Sequence, residues 1–254
     1  MELSLDVLAI LFAVAALAGF IDAIAGGGGL LTVPALLMVG MSPAMALGTN
    51  KLQGCGGSFA ASLYFWRKGA VNLRQIWQIL ALTFIGAVAG TLFVQSIDAS
   101  VVKKFIPALI LAIGLYFLFS PKLGESDRQQ RLSYLAFGLT AGLSLGFYDG
   151  FFGPGVGSLM ALAFVSLLGF NLTKATAHAK TMNFTSNFAS LIFFILGGQV
   201  VWLAGLVMMI GQFIGANLGA KMVLTKGKAI IRPLVVVMSL LMTVKMAFEQ
   251  GWFS

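Results

Sequence analysis

Four ionisable residues stand inside otherwise apolar stretches, and they come as two matched sets. Asp22 precedes Gly26-Gly27-Gly28-Gly29, Asp149 precedes Gly153-Pro154-Gly155, and Lys51 and Lys180 follow further along. Backbone N–H groups at a helix start are free, and the helix dipole places about half a positive charge there. Glycine lets an anion approach that backbone closely. Gly27, Gly28 and Gly155 are therefore candidate anion contacts, with tight helix crossing as the competing reading of the same residues. Neither stretch is a phosphate loop, because no Gly-Lys-Ser/Thr follows, and neither is a dinucleotide fingerprint, because no strand pattern precedes it.

An ionisable side chain at the centre of a membrane costs about 2.5–3.5 kcal/mol or more, so an intramembrane lysine points to function. The alternative for Lys51 and Lys180 is cytoplasmic anchoring by snorkelling. Thr49 and Asn50 adjoin Lys51, while His178, Asn183 and Asn187 surround Lys180. Lys180, Asn183 and Asn187 share one helix face. Two cations with hydroxyl and amide groups beside two helix starts suit a small oxyanion. Asp22 and Asp149 are expected to pair with the lysines or accept the broken backbone's N–H groups, and proton coupling stays open. His178 is expected to hydrogen-bond at the site. Paired intramembrane aspartates also occur in intramembrane proteases, but no Gly-x-Gly-Asp is present and no nucleophile accompanies them. With one cysteine, Cys55, and one histidine, neither a metal cluster nor a cofactor is expected, and no catalytic residue is assigned.

The elements that must carry these residues are membrane helices. The chain has 254 residues, of which 59% are hydrophobic and 9% charged, with mean hydropathy +0.98. Soluble domains carry about 25% charged residues, so a water-soluble globule is excluded. The net charge of +8 calls for no nucleic-acid partner, because cytoplasmic loops of membrane proteins collect Lys and Arg. Glycine, proline and charge punctuation give ten apolar segments, at 3–25, 30–41, 44–66, 75–95, 100–119, 132–152, 156–169, 173–197, 200–223 and 229–249. The second and seventh are short for a bilayer of about 30 Å and read as half-helices or returning arms of broken helices. The first segment lacks a basic leader and is not expected to be a cleaved signal. Alternating sides along the chain puts Arg67, Lys68, Arg74, Lys122, Arg128, Arg131, Lys174, Lys221, Lys226, Lys228 and Arg232 on one side, against Lys103 and Lys104 on the other. The basic side is expected to be cytoplasmic, with both termini periplasmic.

The halves repeat. Gly19-Phe20-Ile21-Asp22 matches Gly146-Phe147-Tyr148-Asp149, Lys51 matches Lys180, and Phe84-Ile85-Gly86-Ala87 with Gly90 matches Phe213-Ile214-Gly215-Ala216 with Gly219. Residues 1–120 and 132–254 are the expected repeats, joined by a cytoplasmic linker at 121–131. Five segments per repeat would make the second enter from the opposite side. The expected fold is an all-α, polytopic, inverted repeat with broken helices, the architecture of many secondary transporters. Gly86-x-x-x-Gly90 and Gly215-x-x-x-Gly219 read as helix packing, and Trp66, Trp77 and Trp202 as an interfacial belt.

Gly19 through Gly29, Gly48-Thr49-Asn50-Lys51, Gly146 through Gly155 and Ala177-His178-Ala179-Lys180 closely resemble the sulfite exporter TauE/SafE family, also called the 4-toluene sulfonate uptake permease family. The resemblance covers nearly the whole chain and is strongest to its bacterial probable membrane transporter branch. It implies an inner-membrane permease for small sulfur-containing anions such as sulfite, sulfoacetate or other sulfonates. The partners expected are that small anion and the lipid bilayer. A second copy of the chain, an anion channel on the same scaffold, and the direction of transport remain open.

Overall fold

The computed structural model describes residues 3–97 and 126–226. The expected segments 100–119 and 229–249, with Lys103, Lys104 and the C-terminus, lie outside the described residues. All regular structure among the described residues is helical. The first half contains α1 (Leu5–Ala25), α2 (Gly29–Met38), α3 (Pro43–Arg67) and α4 (Leu73–Ser96). The second contains α5 (Tyr134–Phe137), a π-helical turn (Gly138–Gly142), α6 (Leu143–Phe151), α7 (Val156–Leu168), α8 (Leu172–Leu196) and α9 (Trp202–Lys226). Helices α1, α4 and α9 are long and apolar enough to cross a membrane. They turn Ile10, Leu17, Ile85, Leu92, Phe213 and Leu218 outward, as helices facing lipid do. The protein is a multi-pass membrane protein.

Two kinds of helix start divide the elements. Helices α1, α3, α4, α5 and α8 begin with Ser4, Ser42, Asn72, Ser133 and Asn171, whose side chains accept a first-turn N–H, the usual remedy for unpaired donors. Helices α2 and α7 begin instead at Gly28 and Gly155, without a cap from the residue's own side chain. These two starts are internal. Leu36 of α2 packs with Leu11 and Ala15 of α1, so α2 folds back toward the end where α1 began. The end of α7 likewise returns to the start of α5, where the Arg131 and Leu132 N–H groups donate to the Leu167 carbonyl at 3.0 and 3.1 Å. Each short helix is the returning arm of a broken pair.

The less apolar helices, α3 and α8, run through the interior. They bury Thr49, Asn50, Lys51, Gln53 and Ser58, and His178, Lys180, Asn183, Ser186 and Asn187. The apolar helices surround them by close crossings between the halves. A Cβ on Gly215 would collide with the Ala16 carbonyl and one on Gly219 with the Phe20 carbonyl, joining α9 to α1. A Cβ on Gly86 would collide with the Leu143 carbonyl and one on Gly90 with the Phe147 carbonyl, joining α4 to α6. Both expected glycine pairs are thus helix contacts, and the same contact occurs twice with the halves' roles exchanged. Trp66, Trp77 and Trp202 sit exposed at helix ends.

One end of the bundle gathers Phe65, Val71, Phe137, Phe164, Leu168, Phe170 and Val223 in a single apolar cluster. The described cations outside the interior, from Arg67, Lys68 and Arg74 to Arg128, Arg131, Lys174, Lys221 and Lys226, lie in the helix termini and loops of that end. The opposite end holds Leu11, Leu36, Met41, Ala204 and Met208.

Candidate functional site

The two broken pairs meet in the middle of the bundle. Gly26 ends α1 with φ 79° and Gly155 starts α7 with φ 79°, a conformation that glycine alone adopts freely. A Cβ on Gly26 would overlap the backbone of Gly157 and Ser158. The Ser158 hydroxyl donates to the Ala25 carbonyl, closing the frayed end of α1. On the other break, the Tyr148 hydroxyl donates to the Pro154 carbonyl at 2.7 Å.

The four charged residues form two ion pairs, and both pairs join opposite halves. Lys51 Nζ lies 2.6 Å from Asp149 Oδ1, the side chains 1% and 2% exposed, and also donates to the Asp149 carbonyl. Lys180 Nζ lies 2.9 Å from Asp22 Oδ2, the side chains 1% and 13% exposed. Each carboxylate has further donors. Asp22 Oδ1 accepts the Gly28 N–H at 3.1 Å, so it caps α2 from the preceding helix. Asp149 Oδ2 accepts the Asn183 amide at 3.1 Å and the Ser186 hydroxyl. Buried charges persist only when paired and hydrogen-bonded, and both conditions hold here.

Between the pairs lies a cavity of about 30 Å³ lined by Asp22, Gly26, Gly29, Asn50, Gln53, Gly54, Asp149, Gly153, Gly155, Val156, Asn183, Asn187 and Gln212. Of the residues singled out from sequence, Asn50, Asn183, Asn187, Gly155, Asp22 and Asp149 are brought to it. Lys51 and Lys180 stand behind the aspartates, outside the lining. Gly28 meets Asp22 through its N–H, and Gly27 does not line the cavity. Thr49 Oγ accepts the Val201 N–H at 3.0 Å and so anchors the turn before α9. His178 is not among the lining residues. Its Nδ1 donates to the Lys174 carbonyl at 2.8 Å, and its ring packs against Phe170 and Phe164 at 4.9 and 5.5 Å. The reason is geometric. Consecutive helical residues point about 100° apart, so Thr49, Asn50 and Lys51 cannot all face one cavity.

Two polar side chains of the lining, Gln53 and Gln212, lie outside the expected site, as do Gly26, Gly29, Gly54, Gly153 and Val156. Gln53 stands one turn from Asn50 among the polar neighbours of Lys51, and spacing alone does not separate it from them. Gln212 interrupts an apolar segment, which is itself a signal, but Thr83 occupies the matching position of the other half, so the repeat gave no second cue. Among the described residues no group of His, Cys, Asp and Glu is disposed to hold a metal ion.

A bundle of apolar helices around two polar ones, broken at its centre over paired charges, defines a multi-pass membrane protein with an internal polar site. The family model described as "Sulfite exporter TauE/SafE" matches residues 11–246, and the chain belongs to that family. It is 68% identical over 253 residues to a protein of Haemophilus influenzae described as a probable membrane transporter protein, covering 100% of this chain and 99% of that one. The probable membrane transporter protein YfcA of Escherichia coli K12 is 57% identical over 242 residues, 95% of this chain and 90% of that one. A probable membrane transporter protein of a Sinorhizobium species is 44% identical over 245 residues, 96% and 94% of the two chains.

Proposed function

We propose that this chain is a secondary transporter that moves small sulfur-containing anions, such as sulfite, sulfoacetate or other organosulfonates, across the bacterial inner membrane. The observation that carries the reading is the pair of helix starts, at Gly28–Gly29 and Gly155–Val156, set beside one polar cavity in the interior. Irregular backbone at membrane depth is tolerated where it is buried or lines a cavity, and half-helix N-termini attract anionic groups. Asn183, Asn187 and Gly155 contact the substrate, and Asn50 orders the lining beside them. Lys51 and Lys180 act through Asp149 and Asp22, which they keep charged and in place. The family description supports sulfite or a related anion as cargo.

The exchanged contacts of α1 with α9 and of α4 with α6, together with the starts of α1 and of α5 at opposite ends of the bundle, support two halves related by a pseudo-two-fold axis in the membrane plane. The clustering of cations at one end supports a cytoplasmic location for that end, with the start of α1 periplasmic. The test is counterflow. Purified protein in liposomes loaded with unlabelled sulfite is expected to accumulate labelled sulfite transiently and saturably. Flux that rises linearly with concentration and shows no counterflow would replace the transporter with a channel, and no flux of any sulfur anion would remove the reading altogether.

A further inference from the structure

The hydrogen bonds around Asn50 do not close as oriented. The Thr32 hydroxyl lies 3.2 Å from the Gly28 carbonyl and 2.6 Å from Asn50 Oδ1, yet a hydroxyl has one proton to donate. Asn50 Oδ1 also takes the Gln53 Nε2 group at 2.6 Å, which leaves Gln53 Oε1 buried without a partner. Amide oxygen and nitrogen are assigned from the network, and turning both amides resolves it. Thr32 then donates to Gly28, one turn back in α2, and accepts from Asn50 Nδ2. Asn50 Nδ2 also donates to Gln53 Oε1. The Gln53 NH2 group takes the unpartnered position, in a residue 1% exposed that lines the cavity. Gln212, 3% exposed, lines the same cavity and likewise leaves Oε1 without a partner. Its terminal amide can turn its NH2 group in.

The charges around this cavity can be counted. The Lys51–Asp149 and Lys180–Asp22 pairs each sum to zero. The starts of α2 and α7 each contribute about half a positive charge and the ends of α1 and α6, at the same two breaks, each about half a negative charge, so these groups sum to about zero. A singly charged ligand therefore brings one charge for hydrogen-bond donors to hold, whereas a dianion brings two, and the cost of burying uncompensated charge rises accordingly. We propose that Gln53 and Gln212 donate their amide N–H groups directly to a singly charged oxyanion, and that this cavity selects such ligands over dianions. This rests on the proposed function for the location of the binding site and narrows its cargo to singly charged forms, hydrogensulfite or a monosulfonate, leaving out sulfoacetate, which carries a carboxylate as well as a sulfonate.

The test uses the full-length protein in detergent, with ligand-induced thermal stabilisation as the readout. Methanesulfonate and formate are the singly charged probes and sulfate is the dianion. The two singly charged probes are expected to raise the melting temperature, and sulfate at equal ionic strength is expected to require about tenfold or more higher concentration. Gln212→Met and Gln53→Met remove an amide at similar volume. Because an unpartnered buried amide is itself unfavourable, Gln212→Met is expected to melt at or above the wild-type temperature without ligand while losing the methanesulfonate shift. Loss of apo stability in Gln212→Met with the shift intact would make Gln212 a structural residue and overturn the proposal. Equal stabilisation by sulfate and methanesulfonate, or none by either singly charged probe, would also overturn it. Stabilisation by those probes without sulfite counterflow would instead remove only the assigned cargo. Counterflow unchanged in both glutamine variants would remove only this inference.

Discussion

The Lys51–Asp149 pair offers the sharpest test of how the interior is held together. Both side chains are almost wholly buried, at 1% and 2% exposure and 2.6 Å apart. Removing one member of such a pair costs about 3–5 kcal/mol, because an uncompensated charge stays behind. The surroundings adjust that figure. In Lys51→Met, the Asp149 carboxylate keeps donors from Asn183 and Ser186, which places the loss near the lower bound, about 3 kcal/mol. In Asp149→Asn, Lys51 keeps the residue-149 carbonyl and an amide oxygen, so the loss is smaller, about 1–3 kcal/mol. In the double variant neither charge remains. It is expected to be more stable than the two single losses sum to, by about 1.5–3 kcal/mol of coupling. Equilibrium unfolding in mixed micelles of mild and denaturing detergent measures all four corners of the cycle. Lys51→Met is expected to lose sulfite counterflow as well. Losses that add within about 0.5 kcal/mol would mean that the two groups do not stabilise one another, and the central ion pair would lose its structural role.

Asp22→Asn and Asp149→Asn are expected to retain measurable counterflow, since an amide oxygen still accepts the neighbouring N–H groups; gradient-driven uptake lost with exchange preserved would make that aspartate the coupling site. Gly215→Ala is expected to cost about 1–3 kcal/mol in the same unfolding assay, because its Cβ would collide with the Ala16 carbonyl and push α9 from α1. Gly40→Ala has open space around it and is expected to lose only the strain of φ 87°, about 1–2 kcal/mol. Ser126→Cys is expected to react with a membrane-impermeant thiol reagent only after the cells are opened, and Ser4→Cys in intact cells; the reverse pattern would invert the orientation.

Much of this architecture was legible because the membrane enforces simple rules. Hydropathy and glycine punctuation placed the helix breaks at Gly26–Gly29 and Gly153–Gly155, and the matched Gly-x-x-x-Gly sequences marked α4 and α9 as helices with a close neighbour. Pairing of lysine with aspartate is one of the roles the sequence allows, beside acceptance of backbone N–H groups and proton coupling. The choice of partner was not legible. Spacing gives a residue's depth along its helix but does not say which helix stands opposite, and pairing within a half satisfies the same rule as pairing across halves. The same limit hid the separation of Thr49 and His178 from the cavity. The π-helical turn at Gly138–Gly142 had no sequence signal, because its glycines serve equally in an α-helix packed on α4.

Exchange of counter-ions between the halves sets an order on biosynthesis. When the ribosome has delivered α1 to α4, Asp22 and Lys51 are already in the membrane, while Lys180 and Asp149 are still unmade. At about 5–20 residues per second, Lys51 waits on the order of 5–20 s for its carboxylate. During that time the nascent first half carries two charges whose final partners do not yet exist, and it must shelter them in the insertion machinery, in water-filled space or against each other. A chain cut between the halves never completes either pair. Quality control therefore has a chemical mark by which to tell an unfinished molecule from a finished one: exposed charge at membrane depth, erased only when Lys180 reaches Asp22.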